Sequence, residues 1–352
     1  MTDDNVIAAP AFHVIPGIAV RRLLRGGSKE VIDAVDAAYR LHGEKNTVNP
    51  PSHFLRYPDH PANRIIALPA SLGGDEGVDG LKWISSFPAN IKQGLPRASA
   101  VLILNDQKTG YPFACLESSV ISATRTAASA ALMARKLTES RGRPRSIGIV
   151  GTGLIARYIL EFLLADGCKP EQLVLFDKDH RQAESFAQKV LGGSDLDALV
   201  VNRPESVVRS CDLVVLATTT ARPYLHGRSL LDNSPVILNV SLRDIGPALV
   251  LDSVNIVDDV AHVFQAGTSV HLTESLVGHR DFVDAEVHDV LEGWAPPPDR
   301  PVVFSPFGLG VLDLAVGALV YRRAMQEGLA TEIPGFHGEL ERHRPLGALN
   351  ED

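Results

Sequence analysis

Unbroken apolar runs, in place of alternating ones, mark the middle of the chain. SIGIV from Ser146, LVLFD from Leu173, ALVV from Ala198, DLVVLAT from Asp212, VILNVS from Val236, NIVDD from Asn255 and VVFS from Val302 are each of strand length. A strand that is apolar at nearly every position needs cover on both faces, the condition met by a parallel sheet between helical layers. Helical stretches separate the runs, so the pattern predicts βαβ units and a doubly wound sheet. Upstream, from Val14 to about Thr126, shorter runs such as RIIALP (Arg64 to Pro69) and ASAVLILND (Ala98 to Asp106) alternate with proline and glycine turns, as in an α+β unit. SATRTAASAALMARKL, Ser122 to Leu137, is rich in helix formers and predicts one long bridging helix with Ser122 as its N-cap. GVLDLAVGALVYRRAMQEG, from Gly310, has apolar residues at three- and four-residue spacing and predicts a last helix that returns to the first unit.

Composition narrows the class of partner. The 352 residues exceed what one core normally organises, and 45% hydrophobic with 22% charged residues is a composition that folds. A formal charge of -8 opposes general attraction to nucleic acid or to an anionic membrane, so neither partner is expected and a small molecule is. The basic segment RGRPR (Arg141 to Arg145) is short and reads as a connector between domains. Cys115, Cys168 and Cys211 are odd in number and widely spaced, which gives neither a disulfide framework nor a zinc spacing. They are expected to be reduced and buried, with no metal. The chain opens without a basic, apolar leader and has no apolar run of about 18 residues, so a cytoplasmic protein is expected.

The segment IGIVGTGLIARYILEFLL supplies the first specific chemistry. Gly151, Gly153 and Ala156 form a G-x-G-x-x-A pattern after a predicted strand and at the opening of a predicted helix. In that setting the first glycine allows a tight turn, the second admits a pyrophosphate to the backbone, and the alanine keeps helix and sheet close. The turn Gly151, Thr152, Gly153, Leu154 and Ile155 is therefore the candidate cofactor cradle. Asp177 ends the next predicted strand, where a ribose-binding carboxylate belongs, and an acid there favours NAD over NADP; the plainer role for Asp177 is to cap the following helix. Lys178 and Arg181 follow closely, and Thr218 and Thr219 close DLVVLATTT on the same expected sheet edge. The fold class expected is α/β, with a Rossmann-type NAD-binding domain over 127–310 and an α+β substrate-binding and dimerisation domain over 1–126 with 311–352.

Hydride chemistry on an amino acid needs cations for carboxylate and a group that moves protons. Lys82 in GLKWISSFPAN, Arg125 in the predicted bridging helix and Asp244 in NVSLRDIGPALV are of the right types. Taken singly, each also suits an ordinary role: a snorkelling lysine, a helix ion pair and a turn residue before Gly246 and Pro247. These segments together, in this order and with the glycine motif, resemble the ornithine cyclodeaminase and mu-crystallin family over almost the whole chain. NPPSHFLRYP, LKWISSFPANIKQGLPRASAVLILND and FSPFGLGVLDLAVG resemble more narrowly its branch that makes 2,3-diaminopropionate for siderophores and peptide antibiotics.

The resemblance implies Lys82 and Arg125 as substrate-carboxylate cations, Thr126 as a phosphate contact and Asp244 as the catalytic acid, with Lys82 beside it in the chemistry. It also implies a homodimer. Its narrower form implies NAD-dependent oxidation of N-(2-amino-2-carboxyethyl)-L-glutamate to 2-oxoglutarate and L-2,3-diaminopropionate. The chain departs from ornithine cyclodeaminase where RIIALPA replaces a strand bearing an acid, and where NPPSH lacks the arginine before serine and histidine. Ornithine is thus disfavoured, and Arg56 and Arg64, with Lys92 and Arg97, are candidates for a substrate with more carboxylates. The alternatives are another enzyme of the same frame (cyclodeaminase, alanine dehydrogenase or imine reductase) and a crystallin-like dinucleotide binder without turnover.

Overall fold

The computed structural model describes residues 10–75, 77–193 and 196–338; residues 1–9 and 339–352 of the expected first domain lie outside the described residues. Two eight-stranded sheets organise the chain. The first is built from β1 (His13–Ile15), β2 (Thr47–Val48), β3 (His53–Arg56), β4 (Arg64–Leu72), β5 (Val78–Ser86), β6 (Ala98–Asn105) and β7 (Pro112–Glu117). The second holds β8 (Ser146–Val150), β9 (Gln172–Phe176), β10 (Ala198–Val200), β11 (Leu213–Leu216), β12 (Val236–Asn239), β13 (Val254–Val257), β14 (Val283–Glu286) and β15 (Val302–Ser305). A final strand, β16 (Thr331–Glu332), rejoins the first sheet beside β1.

The helices are α1 (Gly17–Leu24), α2 (Ser28–Gly43), α3 (Ser119–Thr138), α4 (Leu154–Ala165), α5 (His180–Val190), α6 (Pro204–Ser210), α7 (Pro247–Leu251), α8 (Val260–Val263), α9 (Ser269–Val277), α10 (Val287–Leu291) and α11 (Gly310–Gln326).

The second sheet runs β10-β9-β8-β11-β12-β15-β13-β14 with every pairing parallel. Alternate residues of its strands enter two cores. Ile147, Ile149, Leu213, Val215 and Phe304 join the core shared with α3 and α4, while Val150, Val214, Leu216 and Val303 join the one under α6 and α7. That division explains why its central strands are apolar throughout. The order reverses between β8 and β11, which creates a crevice at their carboxyl ends.

In the first sheet, β4 and β5 pair over their full length from Arg64↔Ser86 to Leu72↔Val78. One face carries Lys82, Leu102, Leu104 and Leu116 into the core against α11. Gly317 allows that approach, since a Cβ there would lie 2.2 Å from the Leu102 side chain.

α3 is buried along most of its length and packs against α2, α4 and α11. Its alanines Ala127, Ala128, Ala130, Ala131 and Ala134 let these helices come close. It starts earlier than the sequence predicts: Ser118, not Ser122, is the N-cap. The reason lies at the end of β7, where the Glu117 carboxylate accepts the amides of Ser119 at 2.8 Å and Val120 at 3.4 Å, supplying the negative charge a helix N-terminus favours. α3 is continuous through position 126, so the expected division at 126/127 falls inside a helix. Two further expectations need correction. The cysteines are free, but only Cys211 is buried; Cys115 and Cys168 are partly exposed, Cys115 on the face of β7 opposite buried Ala114 and Leu116 and Cys168 in the loop after α4. RGRPR is also more than a tether, because Arg141 donates to the carbonyls of Ser234, Pro297 and Arg300 and is docked on the parallel sheet's loops. No helix among the described residues is long and apolar enough to cross a membrane.

Candidate active site

The glycine turn leaves β8 at the strand-order reversal. Gly151 has φ +90, and a Cβ there would sit 2.7 Å from the Ala217 carbonyl oxygen at the end of β11, so only glycine fits without strain. Gly153, the N-cap of α4, faces open space. Leu154 is exposed, Ile155 half-buried, and Ala156 buried against the sheet. Asp177 follows β9 and is tied to this turn, accepting from the Thr152 amide at 2.8 Å, the Thr152 hydroxyl at 3.1 Å and the Asp179 amide at 3.0 Å. The capping role falls to Asp179, whose side chain accepts the Arg181 amide at the start of α5. Lys178 is exposed beside them. A glycine turn with free space at a helix N-terminus, and a carboxylate at the adjoining strand end, fit a dinucleotide.

Asp244 is fully buried in the loop after β12. Its Oδ1 accepts hydroxyls from Thr218 at 2.7 Å and Tyr224 at 2.8 Å, and its Oδ2 accepts the Ser241 hydroxyl. Three hydroxyl donors fix the orientation of the side chain. Burial, followed by the charge of Asp244, raises the Tyr224 phenol well above its ordinary value, so Tyr224 stays a donor. The structure therefore gives Thr218 a task the sequence did not show: its hydroxyl donates to Asp244. Thr219 beside it is exposed. Tyr224 and Ser241 were missed by sequence reading: Tyr224 lies twenty residues from Asp244 along the chain, and Ser241, three residues before it, has the composition of an ordinary turn serine.

Lys82 and Arg125 come together on a third residue, Asp313. Lys82 Nζ donates to Asp313 Oδ2 at 2.6 Å and to the Ser122 hydroxyl at 3.3 Å; Arg125 Nε donates to Asp313 Oδ1 at 3.3 Å. Lys82 and Asp313 side chains are 2% and 0% exposed, that of Arg125 12%. Burial pushes the Lys82 ammonium down to about 8 against the opposing pull of Asp313. Asp313 was legible in hindsight as the single acid in the apolar stretch GVLDLAVG. The Arg125 guanidinium also lies against Gly308, where a Cβ would stand 2.7 Å from Nη1. Gly308 and Phe307 donate their amides to the buried Asp258, whose carboxyl burial pushes up to about 6. Those residues leave the carboxyl ends of β15 and β13, so the two cations sit on the same edge of the parallel sheet as the glycine turn and Asp244. Thr126, one residue along α3, turns its hydroxyl to the Ser122 carbonyl at 2.8 Å.

Arg56 and Arg64 face each other across β3 and β4, on the face of the first sheet that carries Lys82. Lys92 is exposed.

Comparison with known proteins agrees with this architecture. The family model for the ornithine cyclodeaminase/mu-crystallin family matches residues 20–328. N-((2S)-2-amino-2-carboxyethyl)-L-glutamate dehydrogenase of Staphylococcus aureus is 27% identical over 316 residues, covering 87% of this chain and 93% of that protein. Alanine dehydrogenase of Archaeoglobus fulgidus is 24% identical, with 87% and 94% covered. Among solved structures, Thermococcus litoralis Delta(1)-pyrroline-2-carboxylate reductase in complex with NADH and L-proline superposes with a TM-score of 0.84 at 24% identity, over 92% of this chain and 100% of that one.

Proposed function

The chain belongs to the ornithine cyclodeaminase/mu-crystallin family, and on that premise we propose that it is an NAD-dependent oxidoreductase acting on the CH–NH bond of a small amino acid. The observation that carries the reading is the buried Lys82–Asp313–Arg125 group on the carboxyl edge of the parallel sheet, beside the glycine turn and Asp244. Two cations share one buried carboxylate, which leaves a net positive charge to be met by a substrate carboxylate.

The turn Gly151 to Ile155 takes the pyrophosphate, Asp177 with Lys178 the adenosine ribose side, and Thr126, Thr218 and Thr219 border the cofactor. NAD, when bound, supplies the hydride acceptor. Lys82 and Arg125 hold the carboxylate at the reacting carbon, so that its C–H is presented in one orientation. Asp244 removes a proton from the substrate amine and releases it to solvent, then takes one from the water that attacks the resulting imine and returns that proton to the leaving nitrogen. Its three hydroxyl donors keep the carboxylate aimed throughout.

Within this class the substrate we propose is N-(2-amino-2-carboxyethyl)-L-glutamate. This molecule, NAD and water give 2-oxoglutarate, L-2,3-diaminopropionate, NADH and a proton. The Staphylococcus aureus relative that acts on this compound, and the arginines Arg56 and Arg64 on the Lys82 face, support the choice. The enzyme would work in the cytoplasm, in supply of a siderophore or peptide-antibiotic precursor. We propose a homodimer through the outer face of the first sheet, where Leu55, Trp83 and Val101 are 47%, 42% and 39% exposed.

Asp244→Asn separates catalysis from mere dinucleotide binding. The variant is expected to bind NAD as the wild type does, by fluorescence titration, and to lose about 100-fold or more in turnover. Equal turnover in the two proteins would remove Asp244 from the chemistry.

A further inference from the structure

The inner face of the first sheet continues beyond Lys82. Ser86 lies four residues along β5 on the same face, roughly 13 Å away at strand spacing. Ser86 pairs with Arg64, Arg64 pairs with Arg56, and Arg97 Nη1 donates to the Ser86 hydroxyl at 2.8 Å. A fourth guanidinium comes from the other sheet. Arg243, next to Asp244, is anchored by the Ala266 carbonyl at 2.8 Å and 3.1 Å. Burial, then the like charges of Arg243, Arg97 and Arg56, lower the Arg64 pKa; burial, then Arg56, lower that of Arg243 against the opposing charge of Asp244. No carboxylate acts on Arg64 or Arg97 among the described residues. Half-buried guanidinium groups placed as Arg64 and Arg97 are, away from any carboxylate partner, are costly unless an anion joins them.

We propose that Arg56, Arg64, Arg97 and Arg243 form a clamp for the distal carboxylates of the substrate, closed from both sheets. The proposal rests on the reading in which Lys82 and Arg125 take the carboxylate at the reacting carbon. It assigns Arg97 and Arg243 to recognition and defines the substrate class as amino acids with at least one further carboxylate. Planar guanidinium forks match carboxylates two bonds at a time, which lysines do not. The same four charges repel a distal ammonium, so they exclude ornithine on electrostatic grounds. Because Arg243 adjoins Asp244, a carboxylate bridging it to Arg64 also draws the Asp244 loop toward the first sheet.

Calorimetric titration of the NAD-loaded protein with glutarate, and with butyrate of nearly equal length, tests the clamp without requiring turnover. Glutarate is expected to bind at least about tenfold more tightly than butyrate, and Arg64→Gln and Arg243→Gln each to remove most of that difference. Arg145→Gln, an exposed charge change at the amino edge of the parallel sheet, leaves it unchanged. Equal affinity for the two acids, or Arg64→Gln and Arg243→Gln proteins that are folded by circular dichroism and still prefer glutarate as the wild type does, would overturn the clamp. The two readings fail separately. A glutarate preference in a protein that never forms NADH from the tricarboxylate keeps the clamp and removes the reaction, whereas full turnover by Arg243→Gln keeps the reaction and removes the clamp.

Discussion

Asp313 joins two cations that the sequence separates by 43 positions and itself sits in a helix that looks purely structural. Its side chain is taken up by Lys82 and Arg125, so in the proposed reaction it acts by positioning them. Asp313→Asn leaves a lysine and an arginine facing each other with no anion, a change that costs about 3–5 kcal/mol where a buried pair is broken. The kinetic signature is more specific than the loss of stability. Lys82 binds carboxylate only while protonated, so kcat/KM of the wild type is expected to fall as the pH rises through about 8. Asp313 raises the Lys82 pKa, hence its removal lowers that pKa and moves the alkaline limb to lower pH. A pH–rate profile with an unmoved limb in Asp313→Asn would mean that the residue serves the fold alone. At Asp244, Tyr224→Phe removes one of three donors to the carboxylate. Turnover is expected to fall by about tenfold in kcat, with NAD binding and the fold by circular dichroism unchanged.

At the scale of elements, β8, the glycine turn and α4 were legible because three independent patterns coincide there: an apolar run, a G-x-G-x-x-A spacing and a helical stretch. The physical test of that unit is Gly151→Ala, which must place a Cβ 2.7 Å from a backbone oxygen at φ +90. It should weaken NAD by about tenfold or more, some 1.4 kcal/mol, in a binding titration. Asp177→Ala should lose affinity for NAD and narrow its preference over NADP, since the acid that repels a 2'-phosphate is gone. The central parallel strands were legible because they are buried on two faces, and β10, at one edge, by its apolar residues alone. β14 was not, because its VDAE sequence has two acids and lies at the sheet's edge, where one side needs no apolar cover. The start of α3 was misread because Ser122, one turn inside, has the composition of a cap, while the carboxylate that caps the helix belongs to the preceding strand. Of the candidate site, Lys82, Arg125 and Asp244 were legible from residue type and from resemblance. Their partners Asp313 and Tyr224 were not singled out, because those contacts join positions far apart along the chain.

The whole molecule is held across its two sheets by polar contacts as well as by the core around α3. His42 at the end of α2 contacts Asp259 at 2.8 Å, and His262 of α8 contacts Asp259 at 3.1 Å and Asn49 at 3.1 Å. His42 and Asp259 border a cavity of about 340 Å³ between α2 and the end of β13. Burial alone would raise the Asp259 carboxyl, but the His262 ring beside it and the hydrogen bond with His42 hold it well below the usual carboxylate range. The adjacent Asp259 carboxylate raises the His262 pKa. For His262 the sign follows directly: a raised folded pKa gives stability present below the unfolded value near 6.5 and lost as the pH rises through the folded value. For Asp259 the depressed value gives stability above about 3.9, lost on acidification. The two contributions overlap between about pH 4 and 6.5, so the melting temperature should decline from pH 6 to pH 8, and His262→Gln should flatten that decline. The same junction brings the cation pair of the first sheet to the cofactor edge of the second, which is what the proposed chemistry requires. The most direct measurement is NADH formation by the purified protein with NAD and N-(2-amino-2-carboxyethyl)-L-glutamate, beside ornithine, alanine and glutamate at equal concentration. Reduction of NAD with the tricarboxylate alone, with 2-oxoglutarate and L-2,3-diaminopropionate released in equal amounts, is the predicted result. Faster reduction with ornithine or alanine, or none with any substrate despite NAD binding, would contradict it.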